Sequence, residues 1–316
     1  MINIRPLKYL HKNRFYSINN GFTLVELLVG IVLAGLVITP LMSFMVNVLA
    51  TERQEEAKTT SEQEIQSALD YITQDLRQAV YIYDADGLNS TSNGNPPGIK
   101  DQIPPLATAP GCEPTNCTPV LVFWKREFKP EVISQCNSNA INCMDDGVLK
   151  DTYVYSLVAY YLIAGETNNQ WSNTARVARF QISDGVKQPE TDEYLEAPDA
   201  GFQPFSLRVT GRTLKEKMNR WQKNEQRYTT SVDTLVDFID RSTINNQNSC
   251  PTNTQQVPST SASGFYACVD SLNTTAKVYI RGNAAARIGN DVTCDRTSTN
   301  CPTVSAQIQG QQIVTN

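Results

Sequence analysis

Histidine is nearly absent from the 316-residue sequence, in which His11 is the single example. Beyond it there is no material for Ser-His-Asp or Cys-His nucleophilic arrangements, nor for histidine-ligated metals. No C-x-x-C pair occurs, which removes the common zinc and dithiol patterns. Neither G-x-x-x-x-G-K-[ST] nor G-x-G-x-x-G occurs, so nothing marks a nucleotide site. Neighbouring carboxylates at Glu55-Glu56, Asp145-Asp146 and Asp192-Glu193 point apart on regular elements and read as solvated charge. Asp84, Asp86 and Gly87 lack the remaining ligands of a calcium loop. The sequence therefore predicts no catalytic residue, no cofactor and no metal, and a protein that is not an enzyme.

Basic charge is also scarce where it would matter for nucleic acid. The formal net charge is −5, but Arg5, Lys8, Lys12 and Arg14 lie in the first 21 residues, which hold no acid. The remainder carries 23 basic against 32 acidic residues, a balance of −9. Such a surface repels phosphate backbones, and no nucleic-acid partner is expected.

The eight cysteines are Cys112, Cys117, Cys136, Cys143, Cys250, Cys268, Cys294 and Cys301, all in polar, turn-rich sequence. An even number in that setting indicates disulfides and an oxidising compartment. Pairing of sequence neighbours (Cys112 with Cys117, Cys136 with Cys143, Cys250 with Cys268, Cys294 with Cys301) is the simplest of about 105 connectivities.

Phe22 to Ala50 is apolar or weakly polar throughout except for Glu26. At ~1.5 Å per residue, a helix of that length crosses a hydrocarbon core of roughly 30 Å. Basic residues precede it and the mixed group Glu52, Arg53, Glu55, Glu56 and Lys58 follows. The positive-inside rule then predicts a single pass through the inner (cytoplasmic) membrane, with the N-terminus cytoplasmic and the head periplasmic or extracellular. A secretory signal peptide would be shorter and end in a small-residue cleavage site. A plain anchor leaves Glu26 unexplained, since a carboxylate within the bilayer costs about 2.5–3.5 kcal/mol on insertion scales.

Gly21-Phe22-Thr23-Leu24-Val25-Glu26 resembles the processing site of type IV prepilins and pseudopilins. The resemblance implies cleavage after Gly21 by a prepilin peptidase, methylation of the new N-terminal Phe22, and Glu26 as the fifth mature residue. It further implies assembly with other pilins or pseudopilins on an inner-membrane platform, driven by a separate ATPase. Cleavage would create an ammonium group at Phe22, and pairing it with a neighbouring subunit's Glu26 would offset two desolvation costs. The leader is longer than the short basic leaders common in the family, and Pro40 sits slightly early. Gly30, Ala34 and Gly35 allow close helix approach, as ordinary membrane-helix composition also would.

Past Ala50, apolar residues at Ile65, Ala68, Leu69, Ile72, Leu76, Ala79, Val80 and Tyr83 keep helical spacing, with Glu62, Glu64, Asp70, Gln74, Asp75 and Gln78 opposite. Residues 84–119 read as a long loop. Strands are predicted at Val120–Phe128, Tyr153–Ala164, Ala175–Ser183, Thr234–Asp240, Lys277–Arg281 and Val304–Gln309, with a short exposed helix over Leu214–Gln226. Tyr153, Tyr155, Tyr160 and Tyr161 form either a carbohydrate platform or, more simply, sheet packing. The resulting division is a leader (1–21), a membrane and polymerisation helix (22–50), an amphipathic helix (51–83) and a β-rich head (84–316).

The fold class that follows is α+β and pilin-like: a long N-terminal helix packed on an antiparallel sheet with disulfide-bearing loops. Ile72 to Ala79 resembles the same stretch of larger minor pilins of the PilW type and J-type pseudopilins. The head, including Ala267-Cys268-Val269 and Ala276 to Ala284, resembles the cyanobacterial pseudopilins of hormogonium polysaccharide secretion. These likenesses imply a minor pilin or pseudopilin of a type IV pilus-like or type II secretion-like filament, serving secretion or motility. The competing expectation is a single-span, membrane-anchored binding or adhesion protein that never polymerises.

Overall fold

The computed structural model describes residues 21–133, 149–165, 170–189, 191–208, 212–243, 250–259, 263–289, 294 and 298–311. Most of the expected leader, the Cys136–Cys143 pair and Asp145-Asp146 lie outside them. The chain forms two units that divide between Glu52 and Arg53.

In the first unit the apolar sequence is helical from Leu24 onward, the start of α1 (Leu24–Arg77), and every residue from Gly21 to Glu52 is exposed. The helix runs on through Pro40. Proline removes the N–H that would bond the Leu36 carbonyl. One residue earlier, the Thr39 hydroxyl donates to the Gly35 carbonyl at 2.8 Å, local rebonding of the kind that makes proline tolerable in apolar helices.

In the second unit α1 buries Ala57, Ser61, Ile65, Ala68, Leu69, Ile72, Asp75 and Leu76, a stripe at three- and four-residue steps. The helix ends at Arg77, earlier than the expected Tyr83, because the next apolar run takes another role. β1 (Ala79–Ile82) is buried at all four positions and pairs antiparallel with β2 (Cys117–Ile133). Alternate helical burial cannot cover Ala79, Val80, Tyr81 and Ile82 together, whereas a strand covered on both faces does.

β2 pairs with β3 (Lys150–Ala164), β3 with β4 (Ala175–Ser183), and β4 with β7 (Asp233–Ile239), giving an antiparallel five-stranded sheet. A second antiparallel sheet has the order β11 (Thr303–Gln309), β10 (Thr275–Arg281), β9 (Phe265–Asp270), β8 (Gln255–Val257). A two-stranded piece, β5 (Val186–Lys187) with β6 (Tyr194–Glu196), completes the α+β head. The sheets meet where Ile239 bridges Gly282 and where the Gln311 N–H donates to the Ala79 carbonyl at 2.6 Å.

Both faces of the larger sheet are covered, so the adjacent Tyr160 and Tyr161 are both fully buried. Tyr160 reaches Asp75 of α1. On the other face Trp124 packs edge-on against Phe202, Phe205 and Trp221. Its indole N–H donates to the Tyr83 hydroxyl (3.1 Å), which donates to the Met218 carbonyl (2.9 Å). Tyr153 and Tyr155 are half-exposed, the first stacked under Arg126 and the second against Phe205.

Two further expectations are corrected. The 84–119 segment contains a short helix, α2 (Ala85–Asn89), capped by Asp84. The helix expected over Leu214–Gln226 is only α3 (Leu214–Asn219), started by a Thr213/Glu216 capping box. Met218 and Trp221 are buried there, not exposed, because they floor the Trp124 cluster. A last helical turn, α4 (Ala284–Arg287), follows β10, and its Arg287 pairs with Glu64 of α1. Cys112 is bonded to Cys117, Cys250 to Cys268 and Cys294 to Cys301, with Cα separations of 5.4, 5.4 and 5.9 Å.

Candidate assembly segment and the buried ion cluster

The processing candidates sit at the mouth of α1. Gly21, Phe22 and Thr23 are non-helical. The Thr23 hydroxyl accepts the Glu26 N–H at 3.2 Å and its carbonyl accepts the Leu27 N–H at 3.1 Å, so Thr23 caps the helix. Thr23-Leu24-Val25-Glu26 has the spacing of a capping box, which explains locally why the helix starts here and leaves Gly21 and Phe22 outside it. Phe22 is 81% exposed, and a Cβ built on Gly21 meets nothing within 4 Å.

Glu26 lies in the first helical turn, where the helix dipole favours a carboxylate by ~0.3–1 kcal/mol. Among the described residues no cation pairs with it. Around it stand Leu24, Val25, Leu27, Leu28, Ile31 and Leu33, each more than half exposed. An apolar surface this long is unstable in water and needs lipid or other helices. Gly30 and Gly35 have no neighbour within 4 Å of an added Cβ. Among the described residues their small size serves no contact, and it is of the kind that allows close packing by another helix.

The head holds an ionic site that the sequence reading placed wrongly. Asp75, expected on the solvated side of α1, is 7% exposed. Its Oδ1 accepts from Lys125 Nζ at 2.9 Å, and its Oδ2 from Tyr160 OH at 2.7 Å and Arg179 Nε at 2.9 Å. Glu127 stands 3.7 Å from Lys125 and accepts from Ser156 and Gln181. Burial opposes ionisation of Asp75. The charges of Arg179 and Lys125 and the hydrogen bonds outweigh it, holding the carboxyl below its ordinary value. Burial and the Asp75 charge together push the Tyr160 phenol well above its usual range, so it stays a neutral donor. A signal for Asp75 was present: it lies three residues after Ile72 and beside Leu76, on the apolar stripe itself. The cluster fastens the head end of α1 to β2, β3 and β4.

Residues 17–42 match the family model described as the prokaryotic N-terminal methylation motif. No curated protein and no solved structure matches the chain. The motif, the apolar helix behind it and the disulfide-bearing antiparallel head support a type IV pilin-like protein whose N-terminus is cleaved and methylated, a process that implies a prepilin peptidase and assembly with other pilins.

Proposed function

We propose that the chain is a minor pilin or pseudopilin, a non-catalytic subunit that enters a type IV pilus-like or type II secretion-like filament through α1 and supports secretion or motility. The observation that carries this reading is Glu26, a carboxylate without a cationic partner among the described residues on an otherwise apolar, fully exposed helix face. Cleavage after Gly21 frees an ammonium group at Phe22. Bound to the Glu26 carboxylate of an adjacent subunit, it offsets the burial cost of both charges and sets the axial register. The chain then sits in the inner membrane with its head outside the cytoplasm, drawing on a separate assembly platform and ATPase. The size of the loop-rich head favours a minor position in the filament over a major one. Likeness of the head to pseudopilins of polysaccharide secretion supports that cargo.

Expression with and without a prepilin peptidase, followed by mass spectrometry of the N-terminus, tests the first step. The expected product begins at N-methylated Phe22 only with the peptidase. An intact leader in both cells would overturn the reading. In cells, Glu26→Val should be processed yet fail to enter filaments, and normal incorporation would remove the proposed register mechanism.

A further inference from the structure

Between α1 and β7 the head carries an open cleft of about 410 Å³, lined by described residues and within the roughly 300–1,000 Å³ of small-molecule sites. Ala68 and Val236, both buried, give it an apolar base. Tyr71 of α1 and Trp171, in the connection from β3 to β4, border it with 44% and 40% of their surfaces exposed. Gln63, Ser67 and Thr234 add an amide and two hydroxyls. The Ser67 hydroxyl donates to the Gln63 carbonyl at 2.8 Å, which leaves its own lone pairs to accept.

Both rings are braced from behind. Ser172, the residue after Trp171, is clamped to Asp237 of β7: its N–H donates to Oδ2 at 2.8 Å and its hydroxyl to Oδ1 at 2.7 Å. The Arg176 guanidinium lies 5.9 Å from the centre of the Trp171 ring. Tyr71 stands one helical turn before Asp75, and Arg179, held by Asp75 at 2.9 Å, lies 5.4 Å from the centre of its ring. Side chains ordered in advance lose little freedom when a ligand arrives. The charges beside the cleft are engaged as well: Glu64 with Arg287, Arg179 with Asp75, and Asp237 with Ser172. The lining therefore offers aromatic surface and neutral hydrogen-bonding groups, and its charges are committed to the protein.

We infer that the cleft binds a neutral carbohydrate, a short stretch of oligosaccharide whose rings stack on Tyr71 and Trp171 and whose hydroxyls bond to Gln63, Ser67 and Thr234. A pyranose presents C–H groups on its faces and hydroxyls around its rim, so it matches a lining of rings edged by an amide and hydroxyls. An anionic ligand would need a cation that is not already paired. Of the tyrosines expected as a carbohydrate platform, Tyr160 and Tyr161 are fully buried and Tyr153 lies under Arg126. The platform is built instead from α1 and the β3–β4 connection. It lies in the head and does not rest on cleavage after Gly21 or on entry into a filament.

The test is tryptophan emission of the full chain in a detergent without a sugar headgroup. The probes are cellotriose, maltotriose and N-acetylchitotriose, with a polyproline peptide and sodium phosphate as separate arms. Of the three tryptophans, Trp124 and Trp221 are buried, so Trp171 is the exposed reporter. A trisaccharide should change the emission saturably at millimolar concentration or below. Tyr71→Ala, which keeps the reporter, should weaken that binding about tenfold or more, whereas Tyr71→Phe should retain most of it. Gln63→Ala, at an exposed helix position, should weaken it without touching either ring. Trp171→Ala should abolish binding as read by titration calorimetry, with the melting temperature of the head unchanged. No saturable response to any of the three sugars, undiminished binding in Tyr71→Ala or Trp171→Ala, or a response to the peptide or to phosphate as strong as to any sugar would each overturn the inference. The N-terminal mass that tests cleavage is read separately and is untouched by any of these results.

Discussion

Replacing Asp75 by asparagine tests what holds α1 to the head. The substitution keeps the side chain's shape and deletes its charge, leaving Lys125 at 6% exposure beside the Arg179 guanidinium. Breaking a buried pair by removing one partner costs about 3–5 kcal/mol. Two features put the cost at the lower end: Arg179 keeps a side-chain exposure of 19%, and Lys125 retains Glu127 at 3.7 Å. A loss of about 3 kcal/mol corresponds to a drop of about 6–12 °C in Tm at roughly 2–4 °C per kcal/mol. Calorimetry of the full chain in detergent reads it.

The same residue predicts an acid limb. The folded carboxyl lies below its ordinary value of 3.8. Its contribution is therefore complete above that value and is lost as pH falls through the lower folded pKa. Asp75→Asn should lack this limb, so that its melting curve and the wild type's converge as pH falls below ~4. Replacing Asp75, Lys125 and Arg179 together by apolar residues of similar volume should recover most of the loss, since the penalty comes from stranded charge. A shift in Asp75→Asn of under ~1 kcal/mol at neutral pH, the range of a surface pair, would refute the reasoning.

Tyr83→Phe should cost about 1–3 kcal/mol, because it strands the Trp124 indole N–H and the Met218 carbonyl in the core; urea unfolding measures it. Cys250→Ser with Cys268→Ser opens a closure of 18 residues and should cost about 3 kcal/mol by loop entropy; the check is that reducing agent lowers the wild-type Tm more than the variant's. Gly282→Ala should cost about 1–3 kcal/mol, since its Cβ would fall 2.4 Å from the Ser61 hydroxyl. Ser61→Ala should rescue it, because that buried hydroxyl has no hydrogen-bond partner among the described residues to lose.

Much of the head was legible because its strands follow one-dimensional rules. Ala175–Ser183 is both predicted and observed, and the runs around Tyr153–Ala164, Lys277–Arg281 and Val304–Gln309 shift by three residues or fewer at either end. What failed depended on tertiary partners. Val80 and Tyr83 fit a helical stripe as well as a strand, and only the presence of β2 decides between them. Asp75 is hydrophilic in isolation and becomes a buried residue only because Lys125, Tyr160 and Arg179 arrive from three strands distant in sequence. Three-residue β8 and two-residue β5 are too short to carry a period, and their pairing is set by their neighbours.

The assembly segment was readable for the opposite reason. Propensity and pattern are overridden when a residue is buried by partners elsewhere in the same chain, and every residue from Phe22 to Ala50 is exposed among the described residues. Its local signals therefore reach the structure unaltered, from the Thr23 cap to the exposed carboxylate of Glu26.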